Sequence, residues 1–147
     1  MPLPAQAPDS SLVEDTLMAF LRNDAALKKL CPDGVWWDAG DEKAKRFIVV
    51  SLVNHSDGVV FEGRAFENYL FLVKAVMLSN AGTSVAKAAA RIDVLLNNAV
   101  IPVDGFGELA LGRESRVRAT EQDAENSALR WLHRGGRYEG HAGIASA

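Results

Sequence analysis

Hydrophobic positions along this chain change period several times, and each change predicts an element. Ser11 and Glu14 have the spacing of a capping box, and Val13, Leu17, Phe20 and Leu21 behind them fall on one helical stripe. A helix to about Arg22 is expected. Asn23 or Asp24 can cap a second short helical turn, Ala25 to Leu30, which Cys31-Pro32-Asp33-Gly34 then breaks. Val35, Trp36 and Trp37 begin extended structure. The runs Phe47 to Val53 and Tyr69 to Leu78 are nearly continuous in apolar residues rather than alternating, the pattern of strands covered on both faces. Between them Asp57-Gly58 and Gly63 predict a projecting hairpin or loop at about 55–67.

Thr83 is the expected cap of the clearest helix, in which Val85, Ala88, Ala89, Ile92, Leu95, Leu96 and Ala99 recur at helical spacing. Asn97 and Asn98 suit its end, Pro102 bars its continuation, and Gly105 and Gly107 mark a turn. Leu109 to Thr120 and Ser127 to Tyr138 are the remaining strand candidates, the second closing near Gly135-Gly136. The order reads α-β-β-β-α-β-β, an α+β class with a mostly antiparallel sheet and helices packed on it. One domain over 11–139 is expected, with a flexible arm over 1–10 and a flexible tail over 140–147.

Two helix segments cover one face of such a sheet, yet its central strands read as apolar on both. A partner surface over the second face is the economical expectation, since apolar patches above a few hundred Å² are uncommon on monomers. The alternative has one helix on each face. Val59, Val60, Phe61 and Phe66 on the excursion, with Trp36 and Trp37, are the candidate subunit or partner contacts. The alternative for the excursion is that it folds back over its own sheet.

Length and charge narrow the field. The chain has 147 residues, 48% of them hydrophobic, and a formal net charge of −3, so one core suffices and a strong basic field for gripping nucleic acid is absent. Cys31 is the only cysteine, which excludes an intrachain disulfide and a cysteine-rich zinc site and suits an intracellular setting. No apolar run reaches the ~20 residues that a spanning helix needs.

Candidate chemistry is sparse. Arg91 to Ala99 resembles the NNAG segment of short-chain dehydrogenases, but position 100 is Val100, no Tyr-x-x-x-Lys occurs, and the segment continues an amphipathic helix. Gly105, Gly107 and Gly112 lack the strand-loop-helix context of a phosphate loop. His55 and Asp57 are too few for a metal site, and His133 and His141 have no carboxylate or nucleophile at a telling spacing; all read as solvated surface. Cys31 reads as a packed thiol. The arginines Arg113, Arg116, Arg118, Arg130, Arg134 and Arg137 are interspersed with acids, which suits salt bridges better than a phosphate track. No catalytic residue, metal site or cofactor is expected, and the chain reads as a non-enzyme.

Helix, short Asp-capped Ala25-Ala26-Leu27-Lys28 turn, apolar strand, the stretch Phe66 to Val76, amphipathic helix and the final Trp131-Leu132-His133-Arg134-Gly135-Gly136-Arg137-Tyr138 together resemble the tail-completion or tail-terminator (head-tail joining) proteins of long-tailed bacteriophages. The resemblance spans about Ser11 to Tyr138 and departs from the family in having Lys45-Arg46 where a proline turn is usual. It implies a structural virion protein at the head-tail interface. Its subunits would form a ring, a hexamer, that ends the tail tube and presents a face to the head-side connector while DNA passes without specific binding. A small α+β ligand-binding domain or enzyme, or a dimeric adaptor unrelated to phage, are the alternatives from the residues themselves; a cluster of titratable groups would favour the enzyme, and subunit mass separates ring from dimer.

Overall fold

The computed structural model describes residues 11–60, 63–104 and 106–143, with positions 57–60 and 63–66 described as backbone. The elements are α1 (Ser11–Arg22), α2 (Ala25–Leu30), β1 (Val35–Trp37), β2 (Arg46–Val60), β3 (Gly63–Ser79), α3 (Thr83–Leu96), β4 (Ala99–Val103), β5 (Gly107–Gln122) and β6 (Arg130–Gly143). They form an α+β domain with a six-stranded sheet of order β1-β2-β3-β6-β5-β4, antiparallel except for β1 beside β2.

All three helices lie on one face. Val13, Leu17 and Leu21 of α1, Leu27 of α2, and Val85, Ala88, Ile92 and Leu96 of α3 join one buried cluster with Ile48, Val50, Phe71, Val73, Ala75, Met77, Leu109, Leu111 and Tyr138 of the sheet. Each fully buried aliphatic or aromatic side chain there contributes about 1.5–3 kcal/mol relative to exposure, so this one layer carries most of the stability. The alternative of one helix on each face does not occur.

Side chains fix how the helices and strands meet. Asp24 caps α2 by accepting from the Leu27 amide at 3.0 Å, and it also receives Arg91 of α3 at 3.0 and 2.6 Å. That guanidinium holds the Asp24 carboxyl below its ordinary range. Two residues further along α3, Asp93 accepts from Arg113 at 2.7 Å and from the Tyr138 hydroxyl at 3.0 Å, tying the helix to β5 and β6. Asp33 accepts from the Lys45 and Arg46 amides, both at 2.9 Å, so a carboxylate sets the start of β2.

Several expectations are corrected. Gly82, not Thr83, is the N-cap of α3, and no side chain closes it; Thr83 is the first helical residue. A strand, β4, follows the helix where only a turn was read, and Pro102 sits in it because an edge strand leaves one row of backbone groups unpaired. The hairpin expected at 55–67 is present, as the far part of a longer one with strand through Val60 and again from Gly63. β6 continues to Gly143, so the expected tail from Gly140 is strand as far as 143; 144–147 and the arm 1–10 lie outside the described residues. Gly135 and Gly136 are interior to β6 rather than its end. A Cβ on Gly135 would stand 2.0 Å from the Val73 carbonyl oxygen, so the pair marks a close approach of β6 to β3.

Two stability changes follow. Gly135→Ala forces β3 and β6 apart and should cost about 3 kcal/mol in urea unfolding. Asp24→Ala removes a helix cap and should cost about 1 kcal/mol, the exposed arginine partner adding little because solvent screens it.

Candidate interaction surface

The helix-free face of the sheet is apolar in part and polar in part, and its residues follow from strand alternation. Near the β5–β6 turn, Ala44, Phe47, Val49 and Val76 form a second, smaller buried cluster, over which Trp131 packs edge-on to Phe47 with ring centroids 6.3 Å apart. Trp131 is anchored by Asp123, which accepts from its indole nitrogen at 3.1 Å. Further along the same face Leu70 and Leu72 of β3 and Val117 of β5 are half-buried, and Val53 of β2 and Val100 of β4 are 48% and 57% exposed. Sequence alone anticipates this second apolar face, and no helix among the described residues covers it.

The six expected contact residues do not gather at one place. Trp36 lies opposite Val49 on the helix-free face, exposed, its indole donating to the Asp33 carbonyl at 2.7 Å. Trp37 lies opposite Val50 and turns the other way, packing against the main core. Val59 and Val60 belong to the far end of β2 and Phe66 to the facing part of β3, described as backbone, and Phe61 lies outside the described residues. The tryptophans thus sit at the opposite end of the β2–β3 hairpin from Val59, Val60 and Phe66.

Three groupings escape a linear reading. The first is a polar network on the helix side at the hairpin's base: His55 Nε2 lies 3.2 Å from Glu67 Oε2, and the Tyr69 hydroxyl donates to the same oxygen. His55 stacks on Tyr69 with centroids 4.4 Å apart, and Tyr69 stacks on Phe71 at 5.3 Å. Glu67 is 1% exposed. The partner of His55 is therefore Glu67 across the ladder; Asp57, weighed for that role, stands opposite Glu67 in register. A β-bulge at Val53 reverses the facing of later β2 residues, and no residue pattern signals it.

The second grouping is His133, read as solvated surface and in fact enclosed on the helix-free face. Neither ring nitrogen has a hydrogen-bond partner, and Glu121 Oε1 stands 3.5 Å away. Burial first and Lys74 second push its pKa below the ordinary value. The third is a groove of about 560 Å³ between α3 and the lower sheet, walled by Ala86, Ala90 and Val94 and floored by Arg116, Arg118 and Arg134. Alternation sends these arginines to one side while Ser115, Val117 and Glu121 take the other, so charges interspersed along the chain become one basic strip. Cys31 is buried, its thiol pushed up to about 12, a packed and unreactive group as expected. Among the described residues no cluster of three metal-ligating side chains occurs, and no helix is long and apolar enough to cross a membrane.

No protein-family model matches the chain, and no curated protein matches it. Its fold does match solved structures. A chain described as "Virion of native gene transfer agent (GTA) particle" is similar with a TM-score of 0.64 and 16% identity, over 91% of this chain and 96% of that one. A second solved chain, whose description gives no activity, is similar with a TM-score of 0.55 and 16% identity, over 95% and 98%. At this identity the likeness is one of fold.

The buried imidazole generates a pH prediction. Because His133 binds its proton more weakly folded than unfolded, full stability is present above the unfolded value of about 6.5 and falls as pH drops through it. The Tm difference between pH 7.5 and pH 5.5 should shrink in His133→Met relative to the parent chain.

Proposed function

We propose that this chain is a structural virion protein. In this reading copies of it assemble into a ring, a hexamer, that ends the tail tube and joins it to the head-side connector. The observation that carries the reading is a sheet with helices on one face only, whose other face keeps apolar side chains in water, in a chain whose whole fold matches a chain of a gene transfer agent virion. A lone subunit gains nothing from that exposed surface, whereas neighbours in an assembly would bury it. The mild acidity of the chain suits passage of DNA without retention. Its partners are other copies of itself, the tail-tube protein and the connector, and its place is the head-tail interface. The chain needs no catalytic group, cofactor or metal for this role.

Trp36, Trp37, Val59, Val60, Phe61 and Phe66 are the residues assigned to subunit or tube contacts. Trp36 is exposed beside Val49, and the far part of the β2–β3 hairpin carries Val59, Val60 and Phe66. Replacing Phe61 and Phe66 with serine should leave a folded protein by circular dichroism and yield particles with unjoined or overlong tails. Normal particles would remove these two residues from the interface. Subunit mass separates the readings: a hexamer, alone or with tail protein, supports the ring, and a stable dimer that no tail protein enlarges favours an adaptor.

A further inference from the structure

We propose that copies of this chain join edge to edge, with the outer edge of β5 over 114–119 pairing antiparallel to the outer edge of β2 over 54–59 of the next copy. The ring reading supplies the closure of this chain of contacts; the pairing itself rests on the sheet. β1 covers β2 only at Ile48, Val49 and Val50, and β4 covers β5 only from Gly107 to Leu111. Asn97 extends the second cover slightly by accepting from the Arg113 amide. Beyond these points neither strand has an outer strand partner among the described residues. A row of unpaired backbone donors and acceptors is a template for another strand.

The two open edges are matched in direction, position and length. β2 and β5 run in opposite directions, since β2–β3, β3–β6 and β6–β5 are three successive antiparallel pairs. A second copy placed beside the first by translation therefore meets it antiparallel. The open stretches lie at diagonal corners, 51–59 on β2 and 114–122 on β5, so docking requires the next copy to step along the strands. Strand alternation then restricts the register. Arg116 and Arg118 face the helix side, as does His55, whereas Val117, Ala119 and Asn54 face the other. Keeping like faces together allows only every second register, one of which sets 57 opposite 116, 55 opposite 118 and 54 opposite 119.

Charge narrows the choice to the registers that set the acid Asp57 level with a base of β5, Arg116 or Arg118, and Arg116 needs the smaller step along the strands. The geometry also suits closure. Within one sheet Asp57 is level with Leu109, so reaching Arg116 requires a step of roughly six strand positions, or ~20 Å at ~3.3 Å each. Four strands per copy span ~19 Å at ~4.8 Å spacing. The resulting tilt of about 45° lies at the upper end of the range by which tilted strands close into a barrel.

The test uses the full chain. Arg116→Asp and Asp57→Arg should each weaken self-association about tenfold by sedimentation, and the double exchange should recover most of that loss. Independently, Asn54→Cys with Ala119→Cys should give a ladder of covalent multimers on oxidation, and Asn54→Cys with Ser127→Cys should not; the buried Cys31 stays out of the reaction. Asn54 and Ala119 are exposed, so this pair tests the contact even where charge reversal disturbs folding. A multimer by mass that neither cross-links at 54 and 119 nor recovers in the double exchange overturns the edge pairing and leaves the ring reading intact. A chain that remains single at millimolar concentration also overturns the pairing, and tail morphology then decides the ring reading on its own.

Discussion

Burial on one side of a six-stranded sheet shapes everything else in this molecule. Three helices place their apolar stripes against alternate residues of β2, β3, β5 and β6, and one continuous core results. Strand alternation then obliges the intervening residues to face the other way, where Phe47, Val49 and Val76 form a small cluster with Ala44 beneath Trp131. Val53, Leu70, Leu72, Val100 and Val117 are left half-buried or exposed. The carboxylates of Asp24 and Asp93 keep the helices on their side: each accepts an arginine, and each ties α3 to a separate element.

What could be read from the chain follows the range over which each signal acts. Local periodicity located α1, α2, β1 and α3 closely, and continuous apolar runs identified β2 and β3 as interior strands of the sheet, though helices cover only one of their faces. The excess of apolar surface over available helix was likewise legible. Features that depend on partners across the sheet were not. The bulge at Val53 decides that His55 meets Tyr69 and Glu67, and it arises from register. Gly135 and Gly136 look like punctuation in one dimension, whereas in three they let two backbones approach. His133 reads as an ordinary surface histidine until Lys74 and Glu121 are brought beside it.

Charge in the last third shows the same limit in another form. Along the chain the arginines alternate with acids and average out. On the folded sheet Arg116, Arg118 and Arg134 share one side of two neighbouring strands, directly across from Ala86 and Ala90, whose small side chains keep the groove open. A local sign that composition hides is thus produced by the period of two.

That clustering also bears on which symmetry the sheet can support. Pairing of β5 with its own copy about a twofold axis would set arginine against arginine, since Arg116 and Arg118 occupy the same face at alternate positions, and like charges directly opposed are destabilising. β1 and β4 act in the same sense, because by covering diagonal corners they leave open edges that differ in sequence and in height on the sheet. A contact between unlike edges is heterologous, and a heterologous contact propagates until a rotation closes it. In the edge pairing proposed above, short covering strands and a one-sided basic strip would disfavour a twofold dimer and favour a head-to-tail succession of copies, the arrangement from which rings are built.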